Sequence, residues 1–321
     1  MAIIRCFIAL TVAAFLSGCS MAGVRGNYYM ESRDYEEAEV EFQLMVEKDP
    51  GSAVEHYYLG RFLLAQDKIQ EAFPHLQKAV AIDRIDSEYN FWLGVVYGEK
   101  GELKAERLQY ERTLKLSRYH TRARLYLGHS QLRSGELTSA LKSYDKVLKA
   151  VPTNAAALYN RALILELQKK RTNAKKAWRE YLKWFPAGGH AIQAADHLND
   201  YGDFSFENHF IGVRTVTLKE IRFQKRSASV SVGSLSSLRL LGAIVNNIEK
   251  GNLQIVVYDG DNSKSAQKKA IEVRKKILAL SPGLAPERIG ISWFDKSEVV
   301  IRNGKKHVRK SSIRLFLTDW K

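Results

Sequence analysis

The chain has 321 residues, with 50 Lys and Arg against 35 Asp and Glu, a formal net charge of +15. Its two cysteines, Cys6 and Cys19, both lie near the N-terminus. Everything after residue 19 is therefore without disulfides, thiol nucleophiles or cysteine metal sites, and stability there has to come from packing.

The first five residues carry one positive charge, Arg5, and residues 6–16 (CFIALTVAAFL) are an apolar run. A short charged start, an apolar core and small residues beyond it describe a secretory signal peptide. The run falls short of the roughly 20 apolar residues that a membrane-spanning helix needs. Leu16-Ser17-Gly18-Cys19 resembles the lipobox of bacterial lipoprotein precursors; the alternative is an ordinary signal peptide that happens to contain a cysteine. The resemblance implies cleavage after residue 18, loss of Cys6 with the leader, and acylation of Cys19, which would anchor a periplasm-facing chain to the membrane. Several acyl chains on one residue give the lasting attachment that a single chain does not. Ser20 rather than Asp follows the cysteine, which by similarity to enterobacterial sorting implies the outer membrane.

Residues 19–188 repeat with a period of 34. Gly26, Gly60, Gly94, Gly128 and Ala162 form one column, Ala38, Ala72, Glu106, Ala140 and Ala174 a second, and Phe42, Leu76, Tyr110, Tyr144 and Trp178 a third. Pro50, Arg84, Arg118, Pro152 and Pro186 follow at the repeat ends, where proline stops a helix. Small residues let helices approach and large apolar ones fill the space between them, so each repeat reads as a pair of antiparallel helices. Such hairpins bury their apolar faces by stacking into an α solenoid with a groove. Glu106 in place of alanine predicts a looser crossing there. The columns, with Leu59-Gly60, Leu93-Gly94 and Leu127-Gly128, resemble the tetratricopeptide repeat. That resemblance implies five repeats that bind a protein partner through the first helix of each. The groove-facing residues it implies include Tyr57, Arg61, Phe91, Arg122, Leu125, His129, Arg133 and Tyr159. Aromatic rings interleaved with arginine suit an extended peptide carrying apolar and acidic side chains; the alternative is that several of these rings pack between helices.

Charge comes in blocks. Residues 20–99 hold 7 basic against 15 acidic side chains, residues 100–186 hold 20 against 7, and residues 205–321 hold 22 against 10. A change of sign within one solenoid points to two binding surfaces or to self-association. A lipoprotein's compartment excludes nucleic acid as the partner of the basic part, and leaves anionic envelope polymers or an acidic protein.

Beyond Pro186 the period fails. Residues 187–203 read as a capping helix and a turn, with 189–204 as capping helix and linker ahead of a small α/β domain over 205–321. Strands are expected at 213–223, 228–232, 253–258, 288–293, 298–302 and 312–317, and helices at 235–250 and 263–280. Ile271, Ile277 and Leu278 are the expected apolar positions of the second helix. Asp259 at a strand end, Arg274 fifteen residues later and Gly283-Leu284-Ala285-Pro286-Glu287-Arg288-Ile289 resemble the OmpA-like peptidoglycan-binding domain. The resemblance implies that Asp259 and Arg274 flank the amine and carboxylate of diaminopimelate. Asn262, Gln267 and Ala270-Ile271 depart from the family pattern, and its late Asn-Arg-Arg is missing.

No nucleophile elbow, zinc-protease motif, phosphate loop or metal-spaced histidine pair is present, so neither an enzyme nor a metal or other cofactor is expected. The combined expectation is an outer-membrane lipoprotein that serves as a protein-interaction scaffold in envelope assembly, with possible tethering to peptidoglycan. The lipobox joined to repeats resembles the Tad/Flp pilus lipoprotein. The alternative is a cell-wall anchor in which the repeats are only a spacer.

Overall fold

The computed structural model describes residues 21–318; the leader and Cys19 lie outside the described residues. The chain divides into two compact units, with the division between Ala150 and Val151.

Among the described residues the first unit contains eight helices: α1 (Met21–Ser32), α2 (Tyr35–Lys48), α3 (Ala53–Ala65), α4 (Ile69–Ile82), α5 (Ser87–Glu99), α6 (Leu103–Leu116), α7 (Thr121–Arg133) and α8 (Leu137–Ala150). They pair as hairpins in chain order, as the period of 34 predicts. A Cβ on Gly60 would lie 2.6 Å from the Leu76 side chain, and one on Gly94 2.6 Å from the Tyr110 ring. The glycines thus admit the large apolar column, Leu76, Tyr110 and Tyr144, while at Gly26 the neighbour is the Tyr58 ring; Phe42, Leu76, Tyr110 and Tyr144 are all fully buried.

Two further devices recur with the same period. The turn inside each hairpin places one residue in the left-handed region: Arg33 (φ 67°), Asp67 (62°), Gly101 (75°) and Gly135 (75°). Only two of these are the glycine that such a backbone favours. Between hairpins, the fourth residue of the first helix holds the turn by donating to the carbonyl six residues back. His56 Nε2 lies 3.2 Å from the Pro50 oxygen, Asn90 donates to Arg84 at 3.2 Å and Arg124 to Arg118 at 2.9 Å. Three different side chains do the same work of pairing a turn carbonyl, and that of Arg84 also accepts from Arg112 at 3.3 Å.

Glu106 does not loosen the crossing. Its side chain is 2% exposed and accepts from Arg133 at 2.6 Å and from Ser130 at 3.2 Å. A Cβ on Gly98 would come 2.9 Å from its carboxylate, so this glycine makes the room.

The second unit begins with α9 (Ala155–Leu167), α10 (Arg171–Trp184) and α11 (Gly189–Asp200), and Lys169 (φ 57°) continues the left-handed column. Residues 189–204 are α11 and the turn that follows it. Asn199 donates to the carbonyls of Asp203 and Phe206 at 3.0 and 2.8 Å, and Asn208 to that of Ile192 at 2.9 Å. The fifth repeat and α11 thus belong with the β-rich region.

That region contains β1 (Phe206–Ile211) and β2 (Arg214–Lys219), paired antiparallel, then α12 (Leu235–Asn246), β3 (Asn252–Asp259), α13 (Ser263–Leu280), β4 (Ile289–Phe294), a hairpin of β5 (Glu298–Arg302) and β6 (Lys305–Arg309), and β7 (Ser311–Thr318). Strand β3 is central, parallel to β4 and antiparallel to β7. Leu238, Leu241 and Val245 of α12 and Ala270, Val273 and Ile277 of α13 close its core. Ile271 points outward, 49% exposed, a correction to its expected core position. β1 and β6 were not expected, and 228–232 forms only a bridge, Phe223 to Val230.

Candidate functional site

In the first unit, side chains of successive first helices meet around Trp92. The Arg61 guanidinium lies 4.4 Å from the Trp92 ring centroid and 5.4 Å from that of Tyr57, and donates to the Tyr57 hydroxyl at 3.1 Å. From the other side Arg122 stands 5.9 Å from Trp92 and 5.1 Å from Phe91. It is held by Glu88, whose two carboxylate oxygens accept from Arg122 Nη2 at 2.9 and 2.8 Å. Hydrogen bonding from His120, then the Arg122 charge, keeps the Glu88 carboxyl below its ordinary range against the effect of burial. Two cations thus flank one indole, an arrangement strengthened by the ring's negative face. The Trp92 Nε1 and Arg61 Nε donors have no hydrogen-bond partner among the described residues.

Of the groove residues expected from the sequence, Arg61 and Arg122 join this cluster and Leu125 is half-buried. Phe91 is 1% exposed, a core ring rather than a contact residue, because it wedges between Tyr110, Tyr126 and His120. Tyr57 is buried too, its hydroxyl pushed up to about 12 by burial. Arg133 is committed to Glu106, and His129 Nδ1 lies 2.7 Å from the Tyr144 hydroxyl. In the second unit Tyr159 donates to Gln193 at 2.7 Å and packs on Trp178, Tyr181 and His190. Trp92 and Glu88 were missed. The signal was their spacing of four, which puts them on one helix face; Glu88 also stands 34 residues before Arg122 in the same column, whereas mapping from the repeat pattern passes over Trp92.

In the second unit Asp259 ends β3 and is fully buried. Burial pushes its carboxyl up, but Lys269 at 2.7 Å and Ser265 at 2.6 Å outweigh that and hold it below its ordinary range. Arg274 does not join it. Its guanidinium donates to the carbonyls of Ile289 at 3.0 Å and Pro286 at 2.9 Å. Residues 265 and 269 share a helix face, whereas 274 lies five positions on from 269, roughly 140° around the axis. The two residues expected to flank a ligand thus have different partners, and Lys269 takes the place expected of the ligand's amine beside Asp259. Beside it opens a cavity of about 980 Å³ lined by Arg226, Lys264, Lys268 and Ser227 among others.

Among the described residues no cluster of three or more His, Cys, Asp or Glu could hold a metal ion, and no helix is long and apolar enough to cross a membrane.

A family model described as the tetratricopeptide repeat matches residues 24–87 and 125–187. Among solved structures, the chain is similar to PilF of Pseudomonas aeruginosa, at 17% identity over 56% of this chain and 82% of that one, with a TM-score of 0.51. It is also similar to MamA, at 22% identity over 49% and 92%, TM-score 0.46, and to YrrB, a repeat protein with an unusual peptide-binding site, at 22% identity over 53% and 87%, TM-score 0.47. No curated protein matches. At such identities the likeness is one of fold. Residues 24–87 and 125–187 are tetratricopeptide repeats, a scaffold for protein–protein interaction.

Proposed function

We propose that this chain is a non-catalytic lipoprotein of the outer membrane, anchored through Cys19, whose repeats dock a protein partner during assembly of an envelope machine such as a pilus or secretion apparatus. The observation that carries the docking reading is the Arg61–Trp92–Arg122 cluster. It offers an aromatic surface and two fixed guanidinium groups, the residue types that dominate binding energy at interfaces. Leu16-Ser17-Gly18-Cys19 supports the anchor. A pull-down from solubilised envelopes tests the proposal, comparing the wild type with Arg61→Glu and Trp92→Ala. Envelope-assembly subunits that the wild type retains and both folded variants lose support it. The same proteins on all three, or sacculus fragments alone, would favour a spacer.

Tethering to peptidoglycan by the C-terminal region is a second reading, favoured by the order strand, Asp259, helix, and the Arg288-Ile289 step into β4. Asp259 is already paired with Lys269 there, and Arg274 with the carbonyls of Ile289 and Pro286, so a ligand flanked by the two would have to compete with those partners.

A further inference from the structure

The fourth repeat contains a concentration of charge that the docking reading does not use. Where the turn before α7 meets the last turn of α8, a cavity of about 450 Å³ is lined by Arg118, Tyr119, Thr121, Arg124, Lys146 and Lys149. No carboxylate lines it. None of its four cations is in an ion pair among the described residues. Arg124 reaches only the Arg118 carbonyl, at 2.9 Å, and Arg118 leans on the exposed Tyr119 ring, 5.6 Å from its centroid. Burial and then the neighbouring Arg118 charge make the protonated Arg124 less favourable than usual.

The repeats supply an internal control. One repeat earlier the corresponding positions are Arg84, Asn90, Arg112 and Lys115, with Asp83 and Asp86 in the same turn; two repeats earlier they are Pro50, His56, Lys78 and Ala81, with Asp49. In the fourth repeat the aspartates have become Ser117 and His120, and the turn-holding residue has become arginine. Holding the Arg118 carbonyl does not require a charge, since Asn90 does the same for Arg84. Four like charges converging on one half-enclosed cavity repel one another, and an anion is what relieves that repulsion.

We infer that the cavity between α7 and α8 is a binding site for a phosphoryl group carrying at least two negative charges. Two guanidinium forks match phosphate oxygens, the two ammonium groups add charge without directional demand, and the hydroxyls of Tyr119 and Thr121 stand at the rim. The group could belong to a soluble phosphorylated molecule or to a lipid headgroup, and the same chemistry serves both.

Isothermal titration of the full-length chain in detergent, at constant ionic strength and pH 8, tests this with inorganic pyrophosphate as one probe and mixed micelles containing phosphatidic acid, a phosphomonoester, as the other, against phosphatidylcholine micelles. Saturable binding to either anionic probe is expected, weakened about tenfold or more in Lys146→Gln/Lys149→Gln and unchanged in Arg112→Gln/Lys115→Gln, the corresponding positions one repeat earlier. A preference for pyrophosphate identifies a soluble ligand, and a preference for the micelles a headgroup. No binding to either probe, or equal loss in both double variants, would overturn the inference. Because Lys146 and Lys149 lie on the surface, the variants are expected to keep the wild-type thermal midpoint, which separates loss of the site from loss of the fold.

Discussion

Arg133, in the last turn of α7, reaches back to Glu106, which stands where the neighbouring repeats have a fully buried alanine. The carboxylate is buried while the arginine is half-exposed, at 51%. Breaking such a pair leaves an uncompensated charge, whereas removing the charge itself costs little. Arg133→Ala should therefore destabilise the protein by about 2 kcal/mol, at the low end because water reaches the site. Glu106→Ala, which restores the alanine of the column, should stay within about 1 kcal/mol of wild type. Urea unfolding of both variants and of the double variant checks this; equal losses for the two single changes would refute it.

The left-handed turn column gives a prediction of opposite sign. Asp67 and Lys169 hold a backbone that costs a residue with a Cβ roughly 1–2 kcal/mol, while glycine's greater freedom in the unfolded chain returns about half of that. Asp67→Gly and Lys169→Gly should each stabilise by about 0.5 kcal/mol, seen as a higher thermal midpoint. A lower midpoint for both would mean that their side chains contribute more than the turn geometry does.

His56 and His75 meet Nδ1 to Nδ1 at 3.0 Å. Because His56 Nε2 faces the Pro50 carbonyl, it carries the proton there and accepts at Nδ1, so His75 must donate. Both rings have pKa values below the ordinary one, chiefly through burial. Below about pH 6.5 the unfolded chain binds more protons than the folded one, so stability falls as acid is added and is fully present above that pH. His209, pushed down to about 4 by burial, acts in the same direction. His197 opposes them: hydrogen bonding to Glu166 raises it. Urea midpoints between pH 7.5 and 5 should decline, and less steeply in His75→Gln. A flat profile would contradict the tautomer pattern.

The repeats were legible because their packing is written in apolar and small residues at a fixed spacing. The C-terminal strands were legible only where they bury apolar side chains. In β1 the inward residues include Glu207 and His209, both buried, and in β6 the inward residue is Arg309, so neither strand shows the alternation that identifies one. What holds them is charge: Arg309 Nη1 donates to Glu207 at 2.7 Å, with both side chains 7% exposed, and lies 3.5 Å from Glu298. Arg309→Met should cost about 3 kcal/mol, because the buried Glu207 carboxylate loses its hydrogen-bond donor while Glu298 keeps Arg314. Restoration of stability on adding Glu207→Leu would confirm the cause, and a mild effect of Arg309→Met alone would exclude it.

The site residues Asp259 and Arg274 were visible as a spacing, but a spacing of fifteen does not say which helix face each side chain uses. Their observed partners assign them separate work. Arg274 fastens α13 to the turn before β4 through two carbonyls, worth about 1–2 kcal/mol of stability, so Arg274→Gln should lower the urea midpoint without touching any ligand contact. Asp259 neutralises Lys269, whose side chain is only 12% exposed. Asp259→Ala strands that ammonium, and the damage to the fold would by itself reduce sacculus binding. The informative comparison is Asp259→Ala/Lys269→Met, which removes both charges together and is expected to be more stable than Asp259→Ala alone. If the region tethers peptidoglycan through this pair, the folded double variant should fail to sediment with purified sacculi at high salt while Arg274→Gln still does. If adsorption follows only from the excess of basic residues, all variants should bind at low salt and none at high salt. Retention of salt-resistant binding by the double variant would move the contact away from the end of β3 altogether.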